Sequence, residues 1–117
     1  MNDLPDRLLN FSVDVILFLR NYRDSQENRI IKNQLIKSAT SVGANYEESQ
    51  AASSKADFIN KVKISLKEIR ETSYWLKILY RIRNNDELTA ELIKLIDESE
   101  QLMKILGSIA KNASDKG

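Results

Sequence analysis

The sequence contains no cysteine and no histidine. The first absence excludes disulfides, thiol nucleophiles and thiolate metal sites. The second removes the usual general acid–base near neutral pH and the commonest metal ligand. Glycine occurs three times and proline once, which leaves little punctuation for turns. No apolar run approaches the ~20 residues that a membrane span needs. Met1 to Leu9, with Asp3, Asp6 and Arg7, lacks the basic and apolar regions of a signal peptide. A cytoplasmic protein is the expectation. An excess of one charge sign is missing as well: Lys+Arg is 18 and Asp+Glu 17, a net charge of +1. Bulk charge therefore does not announce a nucleic-acid partner.

What is present is the composition of a globular domain, 42% hydrophobic and 30% charged. At 117 residues the chain has the length of one domain that can bury a core without disulfide or metal. Its apolar residues recur at helical spacing in four segments. The first, about 4–22, has Pro5 in its opening turn and a stripe of Leu8, Phe11, Val15, Phe18, Leu19 and Tyr22. Asn21 to Glu27 reads as a loop. The second, about 28–52, carries Ile31, Leu35, Ala39, Val42 and Tyr46, with Gly43 inside the pattern. A mid-helix glycine costs up to ~1 kcal/mol against alanine, so a close helix–helix contact is expected there.

The third segment, about 56–83, has one stripe of Phe58, Val62, Ser65, Leu66, Ile69, Ser73, Leu76 and Tyr80. A second set, Ile64, Trp75, Leu79 and Ile82, lies on another side. Asn84-Asn85-Asp86 reads as a turn and a source of an N-cap. The fourth, about 87–113, repeats Leu88, Leu92, Leu95, Ser99, Leu102, Leu106 and Ile109 in steps of four and three. Ile93, Ile96, Met103 and Ala110 run beside it, and a frayed polar tail from Asn112 follows.

Four helices with connections of a few residues predict an all-α, antiparallel, up-down-up-down four-helix bundle formed as one domain. Helices of ~27 residues are about 40 Å long. Two apolar stripes on one helix exceed what a single bundle buries, so self-association is expected.

Candidate chemistry is sparse. Glu68 and Glu71 have the i, i+3 spacing of carboxylate di-metal bundles but no histidine follows, and Glu47 and Glu48 point in different directions. No catalytic residue, metal site or cofactor is expected. Beside the stripe of the second helix, Gln34, Ser38, Ser41, Asn45 and Glu48 form a polar line. It reads either as a boundary face or as a hydrogen-bonded network in which Asn45 reaches a neighbouring helix. Glu68 and Glu71 are then candidate partners for that line or for Lys37. A structural role is the favoured reading.

Charge is segregated along the chain. Lys55 to Arg83 carries net +5, the residues from Asp86 onward net −3, and the first 54 net −1. Lys63, Lys67, Arg70, Tyr74, Lys77 and Arg81 fall within a sector of about 80° at 100° per residue. A basic ridge with one central aromatic suits phosphate contacts plus a stacking platform. The plainer readings are a solvated face, or a ridge that meets the acidic fourth helix of another subunit.

The run Gln34-Leu35-Ile36-Lys37-Ser38-Ala39-Thr40-Ser41-Val42-Gly43-Ala44-Asn45-Tyr46-Glu47-Glu48 has a specific pattern. So do Asp57-Phe58-Ile59, Ile64-Ser65-Leu66-Lys67-Glu68-Ile69 and Trp75-Leu76. Together they resemble the bundle proteins encoded in intervening sequences of bacterial 23S ribosomal RNA genes. Members often carry Pro where this chain has Gly43 and Gly where it has Ser49, which marks a subgroup. The resemblance implies an up-down bundle assembled as a homopentamer. Similar bundles include the accessory protein of diversity-generating retroelements, which engages nucleic acid and a reverse transcriptase. By that analogy Lys37, Lys63, Lys67, Arg70, Lys77 and Arg81 are candidate RNA or DNA contacts. The expected function is a non-enzymatic oligomer that binds nucleic acid weakly. The alternative is a scaffold or accessory subunit that docks a protein, such as a reverse transcriptase, without touching nucleic acid.

Overall fold

Serine hydroxyls decide where two of the four helices begin. In the computed structural model, which describes residues 3–84 and 88–115, the helices are α1 (Leu4–Arg20), α2 (Gln26–Gln50), α3 (Lys55–Ile82) and α4 (Thr89–Asp115). Ser25 Oγ accepts from the Asn28 backbone N–H at 3.0 Å, and Ser54 Oγ accepts from that of Asp57 at 3.0 Å. Each satisfies one of the orphan donors of a first turn. Asp57 returns the favour by accepting from the Ser53 N–H at 3.2 Å. These caps start α2 at Gln26 and α3 at Lys55, earlier than the apolar periodicity alone places them.

α1 ends at Arg20, two residues short of Tyr22. The Tyr22 ring nonetheless stays in the core, 5.1 Å from that of Phe18, while its carbonyl accepts from Lys32 Nζ at 2.8 Å. At the other end of the chain, Asn112 to Asp115 are helical where a frayed tail is expected from sequence. The Leu88 carbonyl accepts from the Leu92 N–H at 3.0 Å and opens α4. The expected turn at Asn85-Asp86 and the expected start at Glu87 lie outside the described residues.

Contacts between helices fix their directions. Against α2, α1 sets Leu8 beside Gly43, Ser12 beside Ala39 and Tyr22 beside Lys32. Against α3, α2 sets Glu48 on Lys61, Val42 on Ser65 and Ser38 on Thr72. Lys77 meets Glu100 and Leu66 lies near Gly107 across α3 and α4. In each pair one number rises as the other falls, so successive helices are antiparallel. α1 closes against α4 through Arg7 and Glu98. The result is an up-down-up-down four-helix bundle, 48 × 23 × 21 Å.

The core sits where the stripes meet. Leu8, Phe11, Val15, Leu35, Val42, Val62, Ile69, Leu76, Leu79, Leu92, Leu102 and Leu106 are all essentially inaccessible. Packing is uneven: α2 and α3 pair most extensively, and α1 and α4 least. Of the second apolar sets, Leu79 and Ala110 join the core. Ile64, Trp75, Ile96 and Met103 are half-buried, and Ile82 and Ile93 are exposed.

Gly43 does sit at a close approach. A Cβ placed on it would lie 3.5 Å from Leu8 Cβ and 3.7 Å from the Leu8 carbonyl. That is ordinary van der Waals contact, so alanine fits and regains helix propensity. Gly43→Ala is expected to be neutral or to stabilise by up to ~1 kcal/mol. A leucine branch at this position crowds Leu8 of α1, so Gly43→Leu should destabilise by ~1–3 kcal/mol. Chemical denaturation of both variants distinguishes them.

Candidate nucleic-acid interface

α3 buries Val62, Ser65, Ile69, Thr72, Ser73, Leu76 and Leu79. At 100° per residue the opposite sector must face solvent, and it carries the basic residues. Lys63, Lys67, Arg70, Tyr74, Lys77 and Arg81 are all exposed. From Lys63 to Arg81 the ridge runs about 27 Å along the helix. Lys77 Nζ stands 3.2 Å from Glu100 Oε2 of α4. The other four cations make no ion pair among the described residues. Among the described residues no carboxylate compensates their charge, which suits them to an anionic partner.

Tyr74, at the middle of the ridge, is 61% exposed. Its ring meets that of Trp75 edge-on, with centroids 5.4 Å apart. Trp75 is held in turn by its Nε1, which donates to Glu71 Oε2 at 3.1 Å. The tyrosine ring is therefore braced by a neighbour yet mostly open to solvent, as a stacking platform must be.

Lys37 is exposed on α2, off the ridge helix. The residue after it, Ser38, meets Thr72, which lies on the side of α3 opposite the ridge. The structure thus brings the six α3 residues together and leaves Lys37 apart. Nor does Lys37 pair with Glu68 or Glu71 among the described residues.

The polar line of α2 divides. Thr72 Oγ1 lies 2.8 Å from both Ser38 Oγ and the Glu68 carbonyl, two acceptors for one proton. Ser65 Oγ donates to the Val42 carbonyl at 2.6 Å. Those two bonds of buried α3 hydroxyls cross between α2 and α3. Asn45 does not: its Nδ2 donates to the Ser41 carbonyl of its own helix at 2.8 Å, as Ser41 Oγ does to Lys37. Its short side chain reaches the preceding turn more readily than the next helix. Glu48 leaves the line for the surface, where it accepts from Lys61 Nζ at 3.2 Å. Glu68 enters only through its backbone. Thr72 is the partner that sequence periodicity does not single out.

Two further features lie outside the α3 face. Arg7 spans α1 and α4 with a forked pair of bonds to Glu98, 2.7 Å each, and a third to Gln101 Oε1 at 2.8 Å. The hydrogen bond to Glu98 pushes the guanidinium pKa above its usual value. Stability from a raised cation is complete below the unfolded pKa, so Arg7 contributes uniformly across neutral pH. The second feature is apolar. Leu9, Val13 and Leu17 step by four along the outward face of α1, 62%, 44% and 46% exposed. Their i, i+4, i+8 spacing is visible in the sequence beside the core stripe. No group of three or more acidic side chains that could hold a metal ion occurs among the described residues. No helix among them is long and apolar enough to cross a membrane.

Residues 5–108 match a family model described as 23S rRNA-intervening sequence protein. Among solved structures, the chain is similar to a protein of unknown function from the S23 ribosomal protein family of Bacteroides thetaiotaomicron. The two are 36% identical with a TM-score of 0.80, over 92% of this chain and 97% of that one. No curated protein matches the chain.

Proposed function

The chain belongs to the 23S rRNA-intervening sequence protein family, and from that premise we propose that it is a non-enzymatic, homo-oligomeric RNA-binding bundle of the cytoplasm. One observation carries the reading: the α3 ridge, where four of five cations lack an acidic partner among the described residues and flank an exposed tyrosine. Lysine and arginine on phosphates gain affinity by releasing counterions, whatever the sequence. The overall charge of +1 keeps that affinity modest away from the ridge. Oligomerisation multiplies it, since each added copy of the ridge binds the same RNA intramolecularly. Fold alone carries no function, so the proposal stands on the ridge residues.

The outward face of α1 supports self-association. Leu9, Val13 and Leu17 add a second apolar stripe to the solvent side of this helix, among exposed Asp6, Asn10 and Asp14, and a second subunit would cover it. A ring of five copies, as the family resemblance implies, would cover the stripe repeatedly. The same stripe is the observation that favours the second reading, an accessory subunit that docks a partner protein there.

Solution mass by light scattering on a sizing column, with and without ribosomal RNA, tests the proposal. The expected result is a pentamer that shifts with RNA at low salt and is released at high salt. A monomer indifferent to RNA at every salt concentration overturns it. An oligomer that ignores RNA and retains a protein partner through nuclease and salt selects the second reading.

A further inference from the structure

Beside the C-terminal half of the ridge, α3 and α4 leave an open groove of about 420 Å³, lined by Lys77, Tyr80, Arg81, Ile93 and Ile96. Its volume falls within the range of small-molecule sites. The walls are aromatic and aliphatic, and the α3 rim is cationic. Ile93 is 48% exposed, an aliphatic side chain left in water beside two cations. Tyr80 is fixed by Arg83, whose guanidinium stands 3.8 Å over the ring centroid and whose Nη1 donates to the Tyr80 carbonyl at 2.6 Å. Among the described residues, the acid that reaches the rim through an ion pair is Glu100, on Lys77.

Resting on the RNA-binding reading of the ridge, we propose that this groove takes one unpaired nucleobase of single-stranded RNA, with the adjoining phosphates on Lys77 and Arg81. The two cations are four residues apart on one helix face, so their Cβ atoms are about 5–6 Å apart. Phosphates held on that rim place the base between them at the mouth of the groove. A duplex cannot use such a site, because its base faces are stacked inside and its major groove is too narrow for side chains. An unstacked base can, because Tyr80, Ile93 and Ile96 offer an apolar wall in place of the neighbour it has lost. Glu100 and Lys77 are each about half exposed, 48% and 51%, so their pair is weak and a phosphate displaces the carboxylate at little cost. Tyr74, six residues before Tyr80 and exposed on the same ridge, supplies a second platform for the same strand. The ridge then reads the pairing state of the RNA as well as its charge.

Fluorescence anisotropy with a labelled single-stranded RNA and a hairpin duplex of the same sequence, at one salt concentration, tests the groove. The wild-type chain is expected to bind the single strand roughly tenfold more tightly. Ile93→Asn removes the apolar wall without altering charge, and should abolish the preference while leaving duplex affinity unchanged. Equal binding of both forms by the wild type overturns the groove, as does a preference that survives in folded Ile93→Asn. Lys67→Glu with Arg70→Glu separates the two levels, since it lowers binding of both forms. If that variant loses affinity while strand and duplex bind alike, the groove falls and the ridge reading stands. If neither form binds at low salt, both fall.

Discussion

Reversing Lys67 and Arg70 together to glutamate is expected to lower RNA affinity roughly a hundredfold at low salt. Both side chains are exposed and neither makes an ion pair among the described residues, so the substitution changes the field of the ridge and little else. Four cations of the ridge make no ion pair among the described residues, Lys63, Lys67, Arg70 and Arg81; Lys77 only exchanges its carboxylate for a phosphate and adds little to the salt dependence. At about −0.7 per phosphate on a single strand, the logarithm of affinity should fall with that of salt at a slope of about −3. The double variant removes the two central contacts and sets repulsion between the remaining pair. Its residual binding should therefore show a much shallower slope. Lys104→Glu with Lys111→Glu is the control, because both residues are exposed on α4 and the change in net charge is the same. A control that loses as much affinity as the ridge variant would mean that net charge, and no particular face, governs binding. The melting temperature of both variants should stay near that of the parent, since surface substitutions of this kind seldom exceed ~0.5 kcal/mol.

The largest effect on stability is expected from Phe11→Ala. Phe11 is 1% exposed and is among the largest wholly buried side chains. Truncating a buried phenylalanine costs about 3–5 kcal/mol, part lost transfer energy and part cavity. Set against the ~5–15 kcal/mol that holds a domain together, that is a large share. A melting point lower by about 15 °C is expected in a chain of this size. Phe11 belongs to α1, and α1 meets α4 over the least extensive of the four helix contacts. A cavity at that seam finds few neighbours able to collapse into it. Thermal unfolding followed by circular dichroism measures the shift, and a loss of only a few degrees would show that α1 adds little to the core.

Much of this fold is legible in the sequence, because a bundle core is written in local periodicity. Ile31, Leu35, Ala39, Val42 and Tyr46 identify their own buried face, and all five are buried. The ridge is equally legible, since six side chains on one helix need no knowledge of its neighbours to be placed on one sector. What depends on register between helices is not legible. Arg7 and Glu98 are 91 positions apart, and only the closing of α1 on α4 brings them together. Thr72 finds Ser38 for the same reason. Asn45 shows the converse, where a nearby backbone acceptor wins over the distant partner that its position suggests. Leu9, Val13 and Leu17 are plain in the sequence but lie beside a stronger stripe, and periodicity does not say which of two stripes a neighbour covers.

The uneven packing of the helices gives the bundle something like the mechanics of a bound book. α2 and α3 form the spine, stitched by Ser65 to Val42 and by Thr72 to Ser38. α1 and α4 are the fore-edge, where the least extensive packing is joined by the clasp of Arg7 on Glu98 and Gln101. Strain applied to such an object opens it at the clasp before it tears the spine. A partner pressing on the outer face of α1 therefore acts on the leaf that yields most readily. The ridge is borne by α3, on the spine, and keeps its spacing while the cover moves.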